Sequence, residues 1–271
     1  MNRSKWDRRI ERAEALADAH PFAGEVLQFY KRMAAFQEVL YSHGAEAHGR
    51  EAGKKISGLL QQNLCVNLLL PKFAEFVSVV EKYAPQPIAE SARDLNAQGP
   101  SRWEDLLASF WRTAPDFESS SGQPEDLLAW VFLQPLAEYQ AEHNGHTLRQ
   151  ETLAICPFCS AKPIVGVLRP EGDGAKRSLI CSMCATEWAY GRIICPACGE
   201  EAVEKLAIYS ATQFDHVRVE ACDTCHRYIK TVDLTKNGHA VPVVDELATI
   251  PLNLWAQEHG YVKLRPNLLG I

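Results

Sequence analysis

From Glu25 onward, apolar residues recur at spacings of three and four. Val26, Phe29, Tyr30, Met33, Phe36 and Leu40 line one face, while Lys31, Arg32 and Glu38 fall off it. That period is helical, and Pro21 sits near the helix start, where a missing N–H costs least. A second stretch, Gly53 to Tyr83, carries Leu59, Leu60, Leu64, Leu68, Phe73, Phe76 and Val80 and is interrupted at Pro71. One short helix follows, then a loop rich in Pro, Ser and Gly from Ala114 to Gln123. Pro124-Glu125-Asp126 opens a helix bearing Leu127, Leu128, Val131, Phe132, Leu136 and Tyr139, in which Pro135 predicts a kink. Residues 1–152 thus read as a helical domain with a bundle core.

After Thr152 the period shortens. Ile164 to Leu168, Lys205 to Tyr209 and His216 to Val219 read as strands, joined by polar turns such as Glu171-Gly172-Asp173-Gly174. From Asp245 to Tyr261 a helical period returns, with Leu247, Ile250, Leu254 and Trp255 in register and Gly260 as its C-cap.

The chain has 271 residues, 46% hydrophobic and 23% charged, and a formal charge of −6 with no long basic run. Those are the proportions of an ordinary soluble protein without a nucleic-acid footprint. The basic N-terminus is followed by Glu11, Glu14 and Asp18, where a signal peptide needs an apolar core. The longest apolar stretches, around Leu68 and from Leu127 to Ala137, fall short of the roughly 20 residues that span a bilayer. A cytoplasmic location without membrane insertion is the expectation.

Nine cysteines change the picture, because eight fall in C-x-x-C pairs: Cys156/Cys159, Cys181/Cys184, Cys195/Cys198 and Cys222/Cys225. In a reducing compartment this pattern reads as metal thiolates rather than disulfides. The pairs are separated by 21, 10 and 23 residues, an internal repeat of long, short and long gaps. Cys156-Pro-Phe-Cys159 echoes Cys195-Pro-Ala-Cys198, and Trp188 or Tyr228 follows the second pair of each half. Two residues between cysteines let both sulfurs reach one ion at about 2.3 Å, and a second knuckle completes a tetrahedron. A long gap suits a hairpin that brings the chain back, so the first two pairs form one site and the last two another. Interleaved pairing is the alternative.

The expected fold class is therefore α+β. An N-terminal helical bundle precedes two tandem rubredoxin-like or zinc-ribbon modules, residues 153–192 and 193–271, the second with a C-terminal helix. Softness and tetrahedral geometry admit zinc or iron and do not choose between them. Complete shells leave no position to activate water. Only Cys198 is followed by glycine, the residue that rubredoxin knuckles prefer. Lys162, Arg177, Arg192, Arg227 and Lys230 lie close enough in sequence to offset thiolate charge, or are ordinary surface cations.

Cys65 reads as a buried core thiol. His216, His226, His239 and His259 are scattered without ligand spacing. Asp223, Glu187 and Asp245 are carboxylates with no evident nucleophile or base beside them, and no phosphate loop, Rossmann glycine run or nucleophile elbow is present.

Cys156-Pro-Phe-Cys159, Cys181-Ser-Met-Cys-Ala-Thr-Glu-Trp188, Arg192 ahead of Cys195-Pro-Ala-Cys-Gly199, and Ala221-Cys-Asp-Thr-Cys-His-Arg-Tyr228 resemble the formate dehydrogenase accessory protein FdhE family. So do Val244 to Ile250, Gln257 to Tyr261 and Pro266-Asn267. Upstream, His20-Pro21 through Leu27, Phe29-Tyr30, Gln37 and Pro135 fit family helices. Asn253 departs from the family pattern, which places an aspartate there. The resemblance implies a cytoplasmic, non-catalytic factor needed for active respiratory formate dehydrogenase, with that enzyme's molybdenum-bearing catalytic subunit as partner. It also implies rubredoxin-like iron sites, whose ligands here are the eight paired cysteines.

Two other readings compete: an iron-dependent electron carrier, and a zinc-ribbon nucleic-acid binder. Nine Lys or Arg against ten Asp or Glu between Leu153 and Asp233 argue against the second. A homodimer is left open.

Overall fold

In the computed structural model, which describes residues 4–44, 64–113, 124–144 and 153–267, the first helix is set by its own cap. Ser4 Oγ accepts from the Asp7 N–H at 2.9 Å, and the Asp7 carboxylate accepts from the Ser4 N–H at 3.0 Å. Helix α1 (Lys5–Ala19) thereby starts with two otherwise unpaired donors satisfied. A short 3-10 turn, Pro21–Ala23, leads into α2 (Gly24–Ser42). Its stripe buries Phe29, Tyr30, Met33 and Leu40, with Val26 and Phe36 half-buried at the margin.

Leu59, Leu60 and the loop from Ala114 to Gln123 lie outside the described residues. Helix α3 (Val66–Tyr83) runs through Pro71 instead of stopping there. Its opening turn is of the 3-10 kind, with the Leu68 N–H bonding the Cys65 carbonyl three residues back. The one short helix expected next is two, α4 (Gln86–Gln98) and α5 (Pro100–Thr113). Gly99 between them sits at φ +79°, which ends one helix, and Pro100 starts the other.

Helix α6 (Pro124–Asn144) continues through Pro135. Proline has no N–H to offer the Val131 carbonyl, and Gln37 Nε2 of α2 donates to that oxygen at 2.7 Å instead. Phe73 meets Phe132 edge-on at 4.9 Å, and Trp103 packs on Phe73 at 6.0 Å, so α3, α5 and α6 share one aromatic core. Cys65, at the start of α3, is exposed rather than buried, because the apolar face begins only at Leu69.

Seven strands follow. β1 (Pro163–Glu171) and β2 (Gly174–Cys181) form a hairpin whose tight turn places Gly172 at φ +56°. β3 (Glu187–Ala189) pairs with β2. β4 (Leu206–Ser210), β5 (Val217–Cys222) and β6 (Arg227–Asp233) form an antiparallel meander. The two metal modules share one sheet of order β3-β2-β1-β6-β5-β4, because β1 and β6 pair in parallel. Their contact sets Gly166 against Thr231, where a Cβ on Gly166 would lie 2.3 Å from Thr231 Oγ1. Glycine lets the backbones meet there.

The single helix expected from Asp245 to Tyr261 is two, α7 (Pro242–Ala248) and α8 (Ile250–Glu258). Pro251 cannot donate back to Leu247, so the helix breaks at Thr249 and restarts. Gly260, at φ +81°, bonds the Gln257 carbonyl, and Tyr261 bonds that of Ala256, a Schellman ending that turns the chain into β7 (Val262–Lys263) beside β6. Trp6, Leu16, Leu27 and Tyr30 pack on Val244 and Leu247, which fastens α1 and α2 to α7. The larger core runs without a break from the α2–α6 bundle to the four cysteines of the first module.

Candidate metal centres

The four C-x-x-C turns share one backbone plan. The residue after each second cysteine takes a left-handed conformation: Ser160 at φ 63°, Ala185 at 53°, Gly199 at 77° and His226 at 54°. The N–H groups of Ser160, Gly199 and His226 bond the carbonyls of Cys156, Cys195 and Cys222. In turn, Cys156, Cys181 and Cys195 donate to the carbonyls of Ala161, Thr186 and Glu200. These turns aim N–H groups at sulfur: Met183 and Cys184 donate to Cys181 Sγ at 3.3 and 3.5 Å, and Ala197 to Cys195 Sγ at 3.4 Å.

Sequential pairing, and not the interleaved alternative, is what the fold brings together. Cys156, Cys159, Cys181 and Cys184 form one cluster, and Cys195, Cys198, Cys222 and Cys225 another, each with all four Sγ atoms within 4.8 Å of one another. Across the first cluster the Cys159–Cys181 and Cys156–Cys184 sulfurs stand 3.3 and 3.6 Å apart. Across the second, Cys198–Cys222 and Cys195–Cys225 stand 3.7 and 3.8 Å apart. A tetrahedral ion with bonds of about 2.3 Å needs sulfurs about 3.8 Å apart, so both clusters can hold one. The Cys184 Sγ also lies 3.1 Å from Thr186 Oγ1.

Protonation shows why a cation suits the first cluster. Side-chain hydrogen bonds from Cys159, Cys181 and Cys184 pull the Cys156 thiol far below its usual range, while burial pushes the other three well above theirs. Sulfurs crowded in a dry pocket share protons, and a divalent ion is what would let all four ionise together. In the second cluster burial raises Cys195 to about 11 and also raises Cys225. Hydrogen bonds from Cys225 and Thr224 outweigh burial at Cys222 and lower it.

The clusters differ in access. Cys156, Cys159, Cys181 and Cys184 are each 1% exposed. In the second cluster Cys198 is exposed and Cys225 half-buried. The helical half closes the first: Trp130 Nε1 and Gln134 Nε2 of α6 both donate to the Ser182 carbonyl inside the knuckle, at 3.1 and 2.9 Å. Gln134 Oε1 in turn accepts from Gln37, so the α2–α6 contact continues to the first centre. Trp188 donates to the Leu153 carbonyl at 2.8 Å and Tyr228 to Asn253 Oδ1 at 3.1 Å, which gives the two aromatic positions matching anchoring roles.

Of the five cations singled out in the sequence, Arg177 and Lys230 are buried and committed elsewhere. Arg177 pairs with Glu220 at 2.6 Å. Lys230 pairs with Glu246 at 3.0 Å, and burial pulls its ammonium down to about 7. The cation that accompanies the first centre is Arg265, over the Trp130 ring at 5.1 Å. Burial pulls it down to about 10 while the Cys181 and Cys159 sulfurs oppose that shift. Its position far along the chain gave no local signal. The scattered residues also find partners. His216 Nε2 meets Asp245 at 2.8 Å, Tyr261 donates to Asp223 at 2.6 Å, and Glu187 pairs with Arg169. His226 lies in the fourth knuckle, while His239 and His259 are exposed and belong to neither cluster. No described helix is long and apolar enough to cross a membrane.

Residues 155–192 match the model of the FdhE central domain, and residues 193–269 that of the FdhE C-terminal domain. The protein FdhE homolog of Shewanella oneidensis is 30% identical over 98% of this chain and 88% of its own length. The homolog of Aquifex aeolicus is 26% identical over 96% of this chain and 94% of its own, and FdhE of Escherichia coli is 26% identical over 95% and 85%. The crystal structure of the FdhE protein from Pseudomonas aeruginosa superposes with a TM-score of 0.70 at 23% identity, covering 99% of this chain and 97% of that one. With two four-cysteine clusters behind a helical half, and likeness running over nearly the whole length, the chain belongs to the FdhE family.

Proposed function

We propose that this chain is a maturation factor that binds the catalytic subunit of a respiratory formate dehydrogenase, and that it is needed for that enzyme's activity without being a catalyst itself. The family supplies the client, and the two closed cysteine clusters supply the single structural observation that carries the reading. Four thiolates around each ion leave no coordination position for substrate or water. Cys156, Cys159, Cys181 and Cys184 would hold one ion, and Cys195, Cys198, Cys222 and Cys225 the second, each zinc or iron. Zinc there would supply folding free energy, and iron would add one-electron chemistry. On this reading residues 1–152 form the helical domain, and 153–192 and 193–271 the two ribbons, acting in the cytoplasm with no nucleic acid bound.

The test is co-purification with a formate dehydrogenase catalytic subunit from the same cell, together with formate oxidation in a strain lacking this gene. Intact formate oxidation in that strain would sink the reading. A second reading, an iron-dependent electron carrier, draws on the exposed Cys198 of the second centre. Anaerobically purified protein that is colourless and carries two zinc ions would remove it.

A further inference from the structure

The seven-stranded sheet ends differently on its two sides. β3 is three residues long, and its Glu187 carboxylate is held by Arg169 at 2.7 Å. A short, charged edge is how a sheet avoids stray pairing. The opposite edge, β4, reads Leu-Ala-Ile-Tyr-Ser, with no charge and no proline, and no described strand pairs with its outer side. Ile208 on this edge is 58% exposed.

Beside β4 lies a cavity of about 240 Å³. Ile193, Val203 and Ile208 rim it, Leu206 and Ile229 line it, and Cys195 and Cys222 of the second centre form part of its wall. Ile193 and Val203 are 52% and 66% exposed, so three of the large exposed apolar side chains gather at one hollow. Glu220 at this cavity is shared between Arg177 and Arg218, at 2.6 Å from each. Arg192 and Arg227 are exposed at it and pair with no carboxylate among the described residues, although Arg227 Nη1 donates to the Lys263 carbonyl at 3.4 Å.

We infer that the β4 edge and this hollow form a docking strand for an extended segment of a partner polypeptide that presents apolar and acidic residues in turn on one face. Main-chain hydrogen bonds would extend the sheet by one strand. Side chains pointing to one face would seat an apolar residue in the hollow and carry carboxylates to Arg192 and Arg227. A second copy pairing β4 to β4 would bring its own two arginines to the same hollow, which favours a partner of opposite charge. The assignment rests on the client-binding reading and gives it a surface: the docked segment would lie against the more open of the two metal centres.

The experiment uses the full-length, metal-loaded protein and a short fluorescent peptide with Leu and Glu taking turns at every second position and Thr between them, beside a counterpart with Lys in place of Glu. Fluorescence anisotropy should detect the Glu peptide, and amide exchange should slow at residues 206–210. Ile208→Lys, on an exposed position, should weaken binding at least about tenfold with metal content unchanged. Arg192→Glu combined with Arg227→Glu should reverse the preference toward the Lys peptide.

Absence of binding to either peptide, or protection confined to another surface, overturns the proposal. So does a charge reversal that lowers metal content and leaves peptide preference alone, since the arginines would then serve the thiolates only. Sedimentation showing a wild-type dimer that Ile208→Lys dissociates would make a second copy the occupant. A client that still co-purifies with Ile208→Lys would overturn this surface and leave the client-binding reading standing. A client absent even from wild type, with the peptide still bound at β4, would remove that reading alone.

Discussion

Pro135 removes a donor from the middle of α6, and Gln37 of α2 replaces it on the Val131 carbonyl. Replacing Gln37 by Leu leaves that buried oxygen unpaired and should cost about 1–3 kcal/mol. In a Pro135→Ala background the new N–H can reclaim the carbonyl, so the same Gln37→Leu change should cost less. A double-mutant cycle in urea melts measures the difference, and equal costs in the two backgrounds would refute the pairing. The knuckles offer a second test. Ala185 occupies a left-handed position that Gly199 fills without strain at the corresponding place in the third knuckle. Ala185→Gly should stabilise the metal-loaded protein by about 0.5–1 kcal/mol in thermal unfolding, with no change in metal content. The cysteines themselves were plain in the sequence, because a C-x-x-C turn is a local device that carries its own geometry. Gln37 was visible only as part of a family pattern, since its partner is a carbonyl on another helix.

Between elements, the Asp245 carboxylate joins three. It accepts from Arg12 Nε of α1 at 3.0 Å, from His216 ahead of β5 at 2.8 Å, and from the Val241 N–H at the start of α7 at 2.7 Å. Burial alone would raise its pKa, yet the hydrogen bonds from His216 and Arg12 and the charge of Arg12 outweigh it and hold the carboxyl below 3.8. A depressed acid stabilises the fold above its unfolded pKa. That contribution is lost as pH falls from 3.8 through the folded value. Wild type should therefore lose stability more steeply than Asp245→Asn over that acid range, and matching slopes in denaturant melts would count against it.

The strands were only half legible, for a related reason. β6 carries Lys230 at its centre, and a charged residue there reads as surface until Glu246 of α7 is seen to neutralise it. The break between α7 and α8 is hidden in the sequence because the apolar period carries on across Pro251 while the backbone cannot.

At the scale of the molecule, the unequal burial of the two clusters sets an order of metal loss. The first is sealed by α6, whereas the second presents Cys198 to solvent. A chelator with a metal-sensitive dye should release one ion on the order of tenfold faster than the other, since access governs attack on a thiolate site. Cys198→Ser should abolish only the fast phase, and a single phase in wild type would overturn the ordering. Tandem modules and their cysteines could be read along the chain, but their fusion into one sheet could not. The parallel contact of β1 with β6 joins residues from different repeats, and neither run announces its partner.

That contact also bears on how the chain is made. The β1–β2 hairpin leaves the ribosome well before β6, so its inner edge stays open until nearly the whole second module has been synthesised. At roughly 5–20 residues per second, the wait lasts several seconds. Through that interval the nascent first ribbon exposes Gly166, Val167 and Leu168 beside an unsatisfied backbone, a window in which aggregation competes with completion. Prompt metal capture by its four cysteines would shorten the exposure, which makes the timing of metal supply a determinant of yield.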